Sequence, residues 1–211
     1  MPRQNRVDPF GSLNAAPQRG ALMGNRGYLH DNDGTIRRVF AHKAWVTCRI
    51  EWKGVQRKLF SPGRYSELFF LDEATAFAAG HRPCNYCRRD DYKAFNLSFS
   101  NALASGSKIK AGDIDLQIHS DRITKGNVKK TFRADLSSLP DGVMVVLAGS
   151  PETPRMLWKG NLLRWSLDGY SDPLRATEIR MVDVLTPASI CAVFAAGYAI
   201  DVDPSALSVS L

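Results

Sequence analysis

Cys84 and Cys87 stand three positions apart in the run Ala79-Gly80-His81-Arg82-Pro83-Cys84-Asn85-Tyr86-Cys87-Arg88-Arg89, and two thiolates at that spacing can grip one metal ion. Zinc is the expected occupant once further ligands converge, because it takes sulfur and imidazole donors in a tetrahedron. Alone, the pair is half a site, and the same spacing suits a redox dithiol or two small core residues. Pro83 has its φ preset and lacks an amide donor that a first helical turn would not use. A helix is therefore expected to open there, with both sulfurs on its first turn. Such a helix offers free amides and the positive end of its dipole. Ringed by Arg82, Arg88 and Arg89, that end has the chemistry of a phosphate site. Tyr86, between the sulfurs, offers a face on which an exposed base can stack.

The distribution of charge points the same way. The 211 residues carry 28 Lys and Arg against 21 Asp and Glu, a formal charge of +7. Up to Phe95 the count is 16 against 9, and beyond it 12 against 12, so the whole surplus lies in the cysteine-bearing half. A basic half followed by a neutral one suggests a polyanionic partner, with nucleic acid the commonest and DNA favoured over RNA; a merely solvated basic face is the plain alternative. Arg19-Gly20 and Met23-Gly24-Asn25-Arg26-Gly27 set guanidiniums, Arg26 among them, beside glycines that let backbone amides approach a phosphate. Ordinary turns explain those glycines equally well, and no Lys-Ser/Thr follows to complete a Walker loop. Four cysteines are too few and too unevenly placed for a disulfide framework. With no apolar run long enough for a bilayer and no secretion-signal pattern, the expectation is a cytoplasmic protein without a membrane partner.

Three segments are expected to position these residues. Residues 1–35, rich in Gly, Asn, Pro and Arg, read as an irregular basic arm. Residues 36–105 read as a zinc-knuckle module of a β-hairpin plus two helices. In it the alternation from Ala44 turns Cys48 inward, Lys53-Gly54 turns the chain, and Val55–Phe60 returns as the second strand. Asp72 caps a helix ending at Gly80, and the next helix runs from Pro83 to Ala104. After a linker at Ser105-Gly106-Ser107, residues 106–211 read as a small, mostly antiparallel β domain closed by a C-terminal helix. Its first strand is expected at Ile114, Leu116 and Ile118, and Cys191 falls on an apolar helical face as a small core residue. The fold class expected is α+β.

The stretch Phe69-Phe70-Leu71-Asp72-Glu73-Ala74-Thr75-Ala76-Phe77-Ala78-Ala79-Gly80-His81-Arg82-Pro83-Cys84-Asn85-Tyr86-Cys87-Arg88-Arg89-Asp90 resembles the zinc-binding N-terminal domain of the Ada DNA-repair family. In that family a phenylalanine-containing strand, an alanine-rich helix ending in Ala-Gly, and Arg-Pro-Cys-x-x-Cys-Arg carry two of four zinc thiolates. The resemblance spans about Trp45 to Tyr92. It implies that Cys48, in Val46-Thr47-Cys48-Arg49, is the first zinc thiolate, the one that accepts a methyl group from damaged DNA phosphate. Four residues on, where the family has its second cysteine, this chain has Trp52. The implied set is then Cys48, Cys84, Cys87 and a fourth ligand, either water or a histidine. His81 and His30 rank first for that place, then His42, then His119.

Two functions are thus expected from residues and resemblance together. The leading one is a zinc-binding protein that holds nucleic acid through its basic half, in DNA repair or processing. The other is a metal-dependent hydrolase or nuclease, using an open zinc position or a His/Asp pair such as His30 with Asp31 or His119 with Asp121. The His-x-Glu that precedes Pro-Cys-x-x-Cys in zinc deaminases is missing from the sequence. Whether the chain is an enzyme stays open at this point.

Overall fold

Strand pairing begins earlier than the local pattern suggests: the segment read as an irregular arm supplies β1 (Gln4–Val7), β2 (Leu13–Ala15) and β3 (Leu22–Asn25). The computed structural model describes residues 1–54, 58–103 and 107–209. These short strands join β4 (Val46–Arg49), β5 (Leu68–Phe70) and β6 (Arg82–Pro83) in one sheet of order β2-β1-β5-β3-β4-β6. The β1/β5 and β4/β6 pairs are parallel and the others antiparallel. The strand expected around Cys48 exists, but its antiparallel neighbour is β3, with Cys48 opposite Met23. Of the expected return strand, Val55–Arg57 lie outside the described residues and Leu59-Phe60 form a turn. β5, with which both β1 and β3 pair, lies far along the chain, and a local window cannot show that pairing. Gly24 is needed for contact: a Cβ there would drive into the Phe70 ring.

α1 (Glu73–Ala78) is held at its start by Asp72, whose Oδ1 accepts from the Thr75 amide at 2.8 Å and the Thr75 hydroxyl at 2.7 Å. All six of its residues are buried, which small alanines permit on every side of a helix. Gly80 ends this segment at φ +84°, and a Cβ on it would lie 2.5 Å from Cδ of Arg122. Pro83 does not open the second helix. It pairs with Thr47 in β6, and α2 (Arg89–Leu103) begins only after a turn closed by the Arg88 amide on the Cys84 carbonyl at 3.0 Å. Ala104, Ser105 and Gly106, the expected helix end and most of the expected linker, lie outside the described residues.

The segment expected as a strand at Ile114–Ile118 is helical, α3 (Ala111–Arg122). Ile114 and Ile118 are both buried while Leu116 is 52% exposed, so the apolar spacing that counts is four residues, not two. The rest follows the expectation of an antiparallel sheet closed by a helix. β7 (Phe132–Asp135), β8 (Met144–Leu147), β9 (Ser150–Trp158), β10 (Asn161–Ser166), β11 (Gly169–Arg175) and β12 (Met181–Val184) pair antiparallel in the order β11-β10-β9-β8-β12-β7. They are followed by α4 (Ala188–Ala195) and α5 (Ser205–Ser208). The fold is α+β, with two mostly antiparallel sheets.

Packing crosses the boundary expected near residue 105. One buried cluster unites Phe77 of α1, Phe95 and Phe99 of α2 and Ile114 of α3 with Val145 and Val184 of the second sheet and Phe194 of α4. A buried ion pair crosses it as well: Arg82 of β6 donates to both carboxylate oxygens of Asp115 on α3, at 2.7 and 2.8 Å. This fork-to-fork geometry explains why Arg82 is a fixture of the interior. Asp115→Ala, which strands the guanidinium, should cost about 3–5 kcal/mol of unfolding free energy, read from urea titration of the purified protein.

Candidate metal centre

Three sulfur atoms converge where β4 meets the turn before α2. Sγ of Cys48, Cys84 and Cys87 all lie within 4.8 Å of one another. Backbone pairing sets two of them side by side, since the Cys84 amide donates to the Thr47 carbonyl at 2.9 Å, carrying the β4/β6 ladder up to the sulfurs. A second tie comes from Arg88. Its guanidinium donates to Thr47 Oγ1 at 2.9 Å, to Glu73 of α1 at 2.6 Å and to Asp91 at 2.8 Å. Because Thr47 precedes Cys48 and Arg88 follows Cys87, this one side chain fixes both sulfur-bearing segments against α1.

The surroundings suit thiolates. The Arg49 amide donates to Cys87 Sγ and the Tyr86 amide to Cys84 Sγ, each at 3.4 Å, spreading negative charge from sulfur into the backbone. Hydrogen bonding from Cys48 draws the Cys84 thiol well below its ordinary range. The Cys48 thiol is pushed up by the same bond, and Cys87 is pushed up by burial. One proton-poor sulfur among three is what a soft cation needs to begin binding. Met23, Val46, Phe69 and Trp52 pack around the sulfurs, and Tyr65 adds a ring. Tetrahedral zinc with Zn–S bonds of about 2.3 Å holds its sulfurs about 3.8 Å apart, within the spread seen here. The donor set fits a thiophilic divalent metal with three protein ligands.

No histidine joins the sulfurs among the described residues. His81 is wholly buried elsewhere: its Nε2 accepts from Arg26 Nε at 3.2 Å, and its ring packs on Trp45 and Phe70. Burial, then Arg26 and Arg122, hold its pKa well below the usual histidine value. His30 sits 2.6 Å from Ser66 Oγ, stacked on Phe60. His42 is exposed, and His119 contacts Arg122 at 2.8 Å. The expected His/Asp pairs do not form either: Asp31 is bound to Arg37, and Asp121 accepts from Gln117 and the Ser189 amide. Trp52, at the place of the family's second cysteine, packs on the sulfurs instead. Cys191 is buried in the core, as its apolar helical setting suggested.

The arginines expected to ring a phosphate divide sharply. Arg82 and Arg88 are buried in ion pairs, and Arg26 is buried beside His81, so none of the three presents a free guanidinium to a nucleic-acid backbone. Arg89 is exposed and Tyr86 is 70% exposed. Sequence reasoning missed Arg49 and Lys53. Arg49 Cζ stands 5.9 Å from the Trp52 ring, and Lys53 Nζ stands 5.5 Å from the Trp52 ring and 6.0 Å from that of Tyr86. Their spacing around Trp52 was readable, but only the fold sets Tyr86 beside them.

Compared with models of known protein families, with curated proteins and with solved structures, the chain finds no match. Arg88→Met should lower unfolding free energy by about 3–5 kcal/mol, because it leaves Glu73 buried and unpaired. Arg89→Ala, at the exposed start of α2, should stay within about 0.5 kcal/mol, both read by urea titration.

Proposed function

We propose that this chain is a zinc-binding, nucleic-acid-binding protein, its partner DNA, in which the metal braces the surface that meets the strand. The convergence of Cys48, Cys84 and Cys87 carries the reading. Zinc would be held by these three thiolates, with the fourth position left to a water or an external donor, and its first contribution would be to the stability of the surrounding segments. The resemblance of Trp45 to Tyr92 to the zinc module of Ada supports zinc and DNA together.

The surface beside the sulfurs supports the second half of the reading. Tyr86 and Trp52 lie with ring centroids 6.1 Å apart, under the cationic groups of Arg49 and Lys53, with Arg89 exposed at the start of α2, just after the turn that carries Tyr86. Aromatic faces with interleaved cations bind unpaired bases and backbone phosphates without reading much sequence. The chain has no helix long and apolar enough to cross a membrane among its described residues.

Elemental analysis of the native protein should find about one zinc per chain, lost in Cys48→Ser and retained in Cys191→Ser. Acidification should release it, because protons compete for the thiolates, with the metal followed by a chromogenic chelator. A gel shift with single-stranded DNA at low salt should weaken steeply as salt rises. Lys53→Ala with Arg89→Ala should reduce both the affinity and the steepness of its dependence on salt. Binding unchanged in that double variant, or no shift at any salt, would remove the nucleic-acid reading while leaving the metal untouched.

A further inference from the structure

The strongest concentration of unpaired charge lies away from the sulfurs, around Trp45. Arg26 and Arg122 are 0% and 1% exposed, yet neither meets a carboxylate among the described ion pairs. Their guanidinium carbons stand 4.1 and 3.6 Å from the centre of the Trp45 ring. Lys129 reaches the same region, its ammonium donating to the Ala78 carbonyl. Asp8, the carboxylate whose field reaches Arg26 and Lys129, is engaged by the Ser12 amide at 3.0 Å and by Asn14 at 2.9 Å.

All three cations line one cavity of about 670 Å³, the size of a small-metabolite site. Arg26 spends Nε on His81 and Nη1 on the Gly11 carbonyl, while its Nη2 is buried without a partner. Arg122 spends Nη1 on the Gly80 carbonyl and Nη2 on the Lys43 carbonyl and His119, while its Nε is likewise unpartnered. An unpaired buried donor costs about 1–3 kcal/mol, and an uncompensated buried charge costs several. Desolvation accordingly pulls Arg26 and Arg122 down to about 9 and Lys129 down to about 7; the charge of Arg26 pushes Arg122 and Lys129 further down, while Asp8 opposes the shift at Arg26 and Lys129 and Asp115 opposes it at Arg122. A guanidinium at 9 or above is still a cation at neutral pH, so the cluster holds charge that an anion would balance.

We propose that this cavity binds the phosphoryl group of a small organic phosphate, cradled by Arg26, Arg122 and Lys129. Two guanidinium cations, joined by a Lys129 ammonium that a bound anion would keep protonated, exceed what Asp8 balances, since Asp115 is held by Arg82, and they match a phosphate dianion, whose tetrahedral oxygens accept from guanidinium forks. Arg38 lines the same cavity and adds to the attraction, while Arg37, also on its lining, is paired with Asp31. Phe10, Leu13, Ile36 and Val39 line the remainder, giving the organic body an apolar seat. The site is independent of the sulfur cluster and of the surface beside Tyr86.

Isothermal titration of the full native chain with phenyl phosphate, at ionic strength held constant with chloride, tests this. Phenyl phosphate should bind saturably, at least tenfold more tightly than phenol or chloride. Lys129→Gln should weaken it at least tenfold. Val128 is 63% exposed on the cavity wall, so substitution there spares the core. Val128→Glu should abolish binding by like-charge repulsion, while Val128→Gln should bind as the parent does. No binding beyond chloride, or binding retained in full by both Lys129→Gln and Val128→Glu, would overturn the proposal.

Discussion

The buried guanidinium of Arg88 is the constraint on which the candidate metal centre rests. It reaches Thr47 on β4, Glu73 on α1 and Asp91 on α2, and Glu73 in turn accepts from the hydroxyl of Tyr198 at 2.9 Å and the Asp201 amide at 3.1 Å. Strand, helix, sulfur-bearing turn and the C-terminal segment are thereby tied through one side chain. A pair buried this deeply is tolerated because every polar atom around it is bonded, and it contributes through the cost of breaking it more than through net attraction. Without it the segments bearing Cys48 and Cys87 would be joined by a short parallel ladder, the Thr47 hydroxyl on the Arg82 carbonyl and the Arg49 amide on Cys87 Sγ.

The same physics separates the arginines of this chain into those that build and those that face outward. Arg82 and Arg88 find carboxylates inside. Arg26 and Arg122 find carbonyls, a histidine each and the face of Trp45. Counting charge along the sequence treats them alike, so the surplus of the first half overstates what the surface offers a polyanion. Among the cations that remain outside, Arg49 and Lys53 lie over the Trp52 ring, and Lys53 also reaches that of Tyr86. That is a smaller and more defined surface than a helix end ringed by arginines.

The metal site and this surface share their residues' neighbours. Tyr86 sits between Cys84 and Cys87, its amide bonded to sulfur and its ring exposed, and Arg49 gives its amide to Cys87 while its side chain lies over Trp52. A cation binding the sulfurs would therefore order the backbone from which both cationic and aromatic groups project. In the proposed function, metal and ligand binding would be coupled through this backbone, with no need for a second conformation.

Much of the site was legible in the sequence, because Cys84 and Cys87 are three apart and that spacing suffices to bring two sulfurs together. The resemblance added Cys48, while the antiparallel sheet and closing helix of the second half followed from short apolar runs between turn residues. The location of Pro83 in a strand, the helix over Ala111–Arg122 and the joining of β1 and β3 to β5 were decided by partners distant in the chain. A local window cannot weigh those partners. The fate of each arginine and histidine was likewise tertiary: whether a cation is solvent-facing or interior depends on which carboxylate, carbonyl or ring the fold brings within 3 to 4 Å, and residue type carries no record of that.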